Sequence, residues 1–142
     1  MIIDSPEAML EAGRDFAKRL SVGDIVALHG GLGAGKTLFC KGVLEGLGYH
    51  GDVPSPTFTI THPYGPPDLS LAVIHADLYR LNAPEELDEL GLLDGDADDA
   101  IRLIEWAEQG GAALDNARFR VRIERLDENR REMTIEEREV VG

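Results

Sequence analysis

Cysteine is almost missing from this sequence: Cys40 is the only one in 142 residues. No disulfide can form within the chain and no cage of paired thiols can hold a structural metal, so the fold must rest on apolar burial. Within an apolar helical pattern, Cys40 is expected to pack and not to react, and a lone thiol fits a reducing compartment. Lysine is nearly as scarce, with only Lys18, Lys36 and Lys41. None follows an asparagine, so the Asn-Lys-x-Asp pattern by which many GTPases read guanine is absent and ATP is expected over GTP. No apolar run approaches the roughly 20 residues that span a bilayer. The start, Met1 to Pro6, also lacks a basic segment followed by an apolar one. A cytoplasmic protein without membrane contact is expected. Positive charge is low as well: 14 Lys and Arg face 27 Asp and Glu, a formal net charge of −13. Strong binding of nucleic acid by the chain alone is therefore not expected, because phosphate recognition needs a basic footprint.

Glycine is plentiful in one place. Gly30-Gly31-Leu32-Gly33-Ala34-Gly35-Lys36-Thr37 satisfies G-x-x-x-x-G-K-[ST], the P-loop. It follows a short apolar run, Ile25 to His29, of buried parallel-strand character. Phe39, Cys40, Val43, Leu44 and Leu47 then recur at helical spacing up to Gly48. The glycines allow a tight loop that approaches phosphate closely, and their backbone N–H groups with the helix N-terminus form an anion cradle. Lys36 is placed to reach the β- and γ-phosphates, and the Thr37 hydroxyl to meet Mg²⁺.

The rest reads as one α/β domain over residues 1–142 with a mixed sheet, since no repeat or long linker divides it. Ser5 is placed to cap a helix opening at Pro6, with Met9, Ala12, Phe16 and Leu20 on one face. Thr57 to Ile60 is β-prone, His62 to Asp68 is turn-rich, and Leu69 to Ala76 is a second buried strand ending at Asp77; the two runs are candidates for a hairpin. Pro84 opens a short acidic helix, and Ile101 to Ile104 forms a strand leading to Glu105. Phe119–Ile123 and Glu132–Glu136 alternate apolar and polar, as expected of a half-exposed hairpin around Asp127 to Arg130. Between Arg80 and Arg102 the chain has eight carboxylates, from Glu85 to Asp99, and no Lys or Arg. That stretch is either a solvated face or a docking surface for a basic partner.

A P-loop needs a carboxylate at the end of a neighbouring strand. Asp77 and Glu105 both qualify, one to assist Thr37 at Mg²⁺ and the other to orient attacking water. Ser55-Pro56-Thr57 is either a plain turn or a loop that senses the γ-phosphate. Arg80 is a candidate to neutralise phosphate or to pair with the acidic stretch, and His75 is expected to be a satisfied strand histidine and not a metal ligand.

Taken in order and spacing, Gly33-Ala34-Gly35-Lys36-Thr37, Ser55-Pro56-Thr57-Phe58-Thr59, His75-Ala76-Asp77-Leu78-Tyr79-Arg80-Leu81, Pro84-Glu85-Glu86-Leu87 and Ile104-Glu105-Trp106 resemble the TsaE (YjeE) family of bacterial P-loop ATPases. The resemblance spans about residues 5 to 107. It implies a P-loop NTPase-like domain with a mixed, mostly parallel central sheet flanked by helices. It also implies a Mg²⁺-dependent ATPase, slow in isolation, required for N6-threonylcarbamoyladenosine at position 37 of tRNA. In that family the partners are TsaD and TsaB, tRNA is met only through the complex, and the isolated protein is expected to be a monomer. Carried over, Lys36 binds phosphate, Thr37 and Glu105 hold Mg²⁺, Asp77 is the essential acid, Thr57 belongs to the γ-phosphate loop, and Ser5 edges the adenine pocket. Trp106 either packs beside the nucleotide or anchors the strand end. Two positions depart from the family pattern: Gly31 replaces an Asp, and Leu38 replaces a Ser or Thr, leaving only its backbone N–H for the α-phosphate. A small-molecule kinase and a non-hydrolysing nucleotide sensor are the alternatives.

Overall fold

The chain was analysed as a computed structural model that describes residues 1–31, 33–53, 61–66, 69, 71–78, 99–108, 114 and 116–138. Its elements are β1 (Ile2–Ile3), α1 (Pro6–Ala17), β2 (Ile25–His29), α2 (Lys36–Gly46), β3 (Thr61–Tyr64), β4 (Ala72–Asp77), β5 (Ala100–Glu105), β6 (Phe119–Arg125) and β7 (Arg131–Glu137). They build one seven-stranded sheet in the order β1-β7-β6-β2-β5-β4-β3. The four inner strands β6, β2, β5 and β4 run parallel, and antiparallel strands complete both edges.

The unbroken apolar character of Val26-Ala27-Leu28 has a simple cause: β2 lies between β5 and β6, and all three residues are fully buried. On one face Val26, Leu28, Val73, Ile101, Leu103, Phe119 and Val121 meet Met9 and Phe16 of α1 and Phe39, Val43 and Leu44 of α2. Phe16 lies tilted against Phe39 and edge-on against Phe119, with ring centroids 5.5 and 4.9 Å apart. On the other face Ala27, Ala76 and Ile104 pack with Leu78, Leu114 and Ala117. The half-polar strands β6 and β7 form the expected hairpin, closed by Asp127, whose Oδ1 accepts from the N–H groups of Asn129 and Arg130 at 2.9 and 2.8 Å.

Helix α1 starts where Ser5 caps it, with Ser5 Oγ accepting from the Ala8 N–H at 3.0 Å. Its buried stripe includes Gly13, which the apolar pattern does not mark. A Cβ there would stand 2.4 Å from the Phe39 carbonyl oxygen, and one on Gly42 of α2 would stand 2.3 Å from the Leu10 carbonyl oxygen. The two helices thus touch backbone to backbone. Gly42→Ala is expected to force them apart and lower stability by about 1–3 kcal/mol; urea unfolding with an unchanged midpoint would contradict this close approach.

Three elements differ from the sequence reading. A two-residue strand, β1, pairs with β7; it is too short to show a period. His62, Pro63 and Tyr64, expected in a turn, extend β3 and pair with β4. Pro63 is tolerated because β3 is the outermost strand of the described sheet, a position that accepts proline. The strand from Ala72 begins later than the apolar run at Leu69 suggests. The β-prone stretch Thr57 to Ile60 and the acidic helix after Pro84 lie outside the described residues.

Candidate nucleotide site

The loop after β2 turns into α2 through glycines in left-handed backbone, Gly33 (φ 75°) and Gly35 (φ 108°), a region where a side chain would be strained. Gly35 is the N-cap of α2 and has no side chain to offer, so no side-chain cap satisfies the first-turn N–H groups. Those donors, aligned with the helix dipole, are left for an anion. Ala34 N–H is held by the Gly31 carbonyl at 3.2 Å.

Lys36 is buried and folded back over the loop, its Nζ donating to the carbonyls of Gly30 and Gly31, with 3.3 Å to the latter. The same Nζ lies 3.5 Å from the centroid of the Trp106 ring. Trp106 therefore packs against the P-loop lysine. It does so in left-handed backbone (φ 56°), which costs a bulky residue about 1–3 kcal/mol and is held by its surroundings. Burial pushes the Lys36 pKa below that of a free lysine, against the opposing pull of Glu108, Glu105 and Asp77.

Parallel register places Asp77 at the end of β4 directly beside Glu105 at the end of β5, and both are buried. Thr37 Oγ1 donates to the Glu105 carboxylate, 2.9 Å from Oε1 and 3.0 Å from Oε2. His75, fully buried two residues before Asp77, sets its Nε2 2.5 Å from Glu105 Oε2. Donor atoms of Cys40, His75 and Glu105 lie within 4.8 Å of one another. Burial raises the Cys40 thiol well above its ordinary pKa, so it stays protonated and acts as packing. The converging oxygen donors of Thr37 and Glu105 suit a hard cation such as Mg²⁺, which binds through one or two protein oxygens and substrate phosphates.

Beside the loop a cavity of about 400 Å³ is lined by Ser5, Pro6, Met9, Leu38, Asn129 and Arg131, among others. Ser5 and Leu38 thus meet at one cleft, although the Ser5 hydroxyl is already engaged in capping α1. The C-terminal hairpin also closes on the P-loop: Arg131 Nε donates to the Ala34 carbonyl at 3.2 Å and Nη2 to that of Gly33 at 3.4 Å. Nothing local in the sequence singles out Arg131, because its partners lie 97 and 98 residues away. Thr57, Ser55, Arg80 and the acidic residues Glu85 to Asp98 lie outside the described residues; Asp99 is exposed.

A parallel sheet whose inner strand feeds a glycine loop and an uncapped helix defines a P-loop protein. Residues 3–133 match the model of the family described as threonylcarbamoyl adenosine biosynthesis protein TsaE. The chain is 41% identical over 128 residues to the tRNA threonylcarbamoyladenosine biosynthesis protein TsaE of Haemophilus influenzae, covering 87% of this chain and 80% of the relative. It is 44% identical to that of Streptomyces coelicolor over 123 residues, 82% and 79% of the two chains, and 41% identical to that of Bacillus subtilis over 132 residues, 93% and 79%. The crystal structure of Bacillus subtilis YdiB superposes with a TM-score of 0.71 at 31% identity, covering 95% of this chain and 82% of that one. The chain belongs to the TsaE family. No described helix is long and apolar enough to cross a membrane.

Proposed function

We propose that this chain is a cytoplasmic, Mg²⁺-dependent ATPase that supports the N6-threonylcarbamoyladenosine modification of tRNA at position 37, acting with a TsaD–TsaB complex and meeting tRNA only through it. Family membership supports the pathway. The observation that carries the chemistry is the uncapped start of α2, where Lys36 and the Thr37–Glu105 pair converge.

In this reading the N–H groups of the loop and of α2 receive the phosphates, and Lys36 turns from the Gly30 and Gly31 carbonyls to the β- and γ-phosphates. Thr37 and Glu105 hold Mg²⁺, which when bound neutralises charge on the phosphate oxygens. Asp77 orients a water whose oxygen bonds to the γ-phosphorus as the bond to the bridging oxygen breaks, giving ADP and phosphate; the carboxylate accepts the water proton and passes it to solvent. Thr57 responds to the γ-phosphate, Ser5 and Leu38 border the adenosine, and the acidic stretch from Glu85 to Asp99 docks on a basic patch of the partners.

The described arginines support an indirect relation to tRNA. Arg118 pairs with Asp24 and Glu137, Arg130 with Asp127, and Arg131 binds P-loop carbonyls, so these three are engaged within the chain. The expected result is slow phosphate release by the isolated monomer, faster release when TsaD and TsaB are added, and no appreciable tRNA binding by the chain alone at physiological salt. Phosphate release measured alongside co-elution tests this. Full turnover without partners, phosphate transferred to a small acceptor, or binding without hydrolysis in the assembled complex would each replace the reading.

A further inference from the structure

We infer that His75 is a positioning residue that holds the Glu105 carboxylate in the orientation needed at the metal; this rests on the reading of Thr37 and Glu105 as the Mg²⁺ ligands. A glutamate at a strand end has three rotatable bonds, and in the free protein little else need fix its carboxylate. Here both of its oxygens are held. Thr37 Oγ1 reaches Oε1 and Oε2 at 2.9 and 3.0 Å, and His75 Nε2 reaches Oε2 at 2.5 Å. A carboxylate can only accept, so the imidazole nitrogen facing it carries the hydrogen.

The placement follows from strand geometry. His75 and Asp77 alternate along β4 and share the sheet face that carries Glu105, because β4 and β5 pair in parallel with His75 opposite Leu103 and Asp77 opposite Glu105. His75 is fully buried, and its Nδ1 has no hydrogen-bond partner among the described residues. An imidazole kept in a core with one nitrogen unsatisfied is poorly explained by packing, since an apolar side chain would leave no orphaned atom. Its made bond goes to one acceptor, and that acceptor is the candidate metal ligand. Thr37 can turn a hydroxyl lone pair to a cation while its O–H still donates to Glu105, and the His75 contact holds the same carboxylate from the neighbouring strand. Second contacts of this kind orient ligating groups, and their loss typically costs about 10–100-fold in metal affinity or activity.

The test compares binding of a non-hydrolysable ATP analogue by calorimetry with Mg²⁺ and with EDTA, in the full chain and in Thr37→Ala, His75→Gln, His75→Asn and His75→Leu. Gln can place an amide N–H where Nε2 stands; Asn is too short and Leu has no donor. The ratio of the two affinities should fall about tenfold or more in His75→Asn and His75→Leu, and stay near the parental ratio in His75→Gln, with EDTA affinity little changed in all three. A ratio unchanged in His75→Asn, whatever happens to its melting temperature, overturns the inference and shows a core histidine only. If the parental chain shows no Mg²⁺ enhancement, or Thr37→Ala retains it, the metal site itself is misassigned and the inference falls with it. Should His75→Leu fail to fold, the contrast of Gln with Asn decides.

Discussion

Lys36→Ala is expected to abolish productive ATP binding while leaving the protein folded. The ammonium sits at the mouth of the loop, partly stripped of water, on two carbonyls and the Trp106 ring. Removing one partner of a desolvated charge pair costs about 2–5 kcal/mol, which corresponds to roughly 30-fold to several thousandfold in Kd. Folding should survive because Phe39, Val43 and Leu44 of the same helix provide its packing in the main apolar cluster. Calorimetry with Mg·ATP and circular dichroism check both halves. Parental affinity in this variant would mean that the loop is not a phosphate site. Because burial lowers the Lys36 pKa, affinity in the parental protein should begin to fall with rising pH earlier than a free lysine would dictate.

Glu105→Gln should have the second large effect, on hydrolysis more than on nucleotide binding. Gln keeps the size and one acceptor but loses the charge that would hold the metal. Since even outer contacts to a ligand are worth about 10–100-fold, loss of the ligand itself should cost at least about a hundredfold in turnover. Asp77→Asn should also lose turnover, and the double variant should lose less than the product of the two, because the carboxylates stand side by side at the ends of β4 and β5. Single-turnover phosphate release in the assembled complex measures this. Either variant turning over at the parental rate would show that its carboxylate has another role.

Much of the site is legible in the sequence because its parts are local. The spacing of Gly30, Gly35, Lys36 and Thr37 sets the loop and helix start within eight residues, and the same residues form them in the structure. Asp77 and Glu105 are recognisable because each ends an apolar strand run, and the register then shows them to be neighbours. Cys40 is correctly read as packing from its helical phase and is fully buried. Trp106, left open between two roles, sets its ring beside Lys36 Nζ and also packs against the cluster of Ala27, Ala76 and Ile104. The strand boundaries at β3 and the existence of β1 are not legible, because edge pairing is set by the neighbouring strand and not by the segment's own pattern.

By itself, then, the sequence determined what short-range covalent order controls: a P-loop between a buried strand and a helix, carboxylates at strand ends, a capped first helix and a half-exposed hairpin. Only the tertiary structure decided what depends on register and on the approach of distant segments. It puts His75 on Glu105 across two strands, Arg131 on the carbonyls of Gly33 and Ala34, and Gly13 and Gly42 against opposing backbone. The physical reason is that alternation along one strand fixes which face a side chain takes, but only pairing fixes which neighbour it meets there.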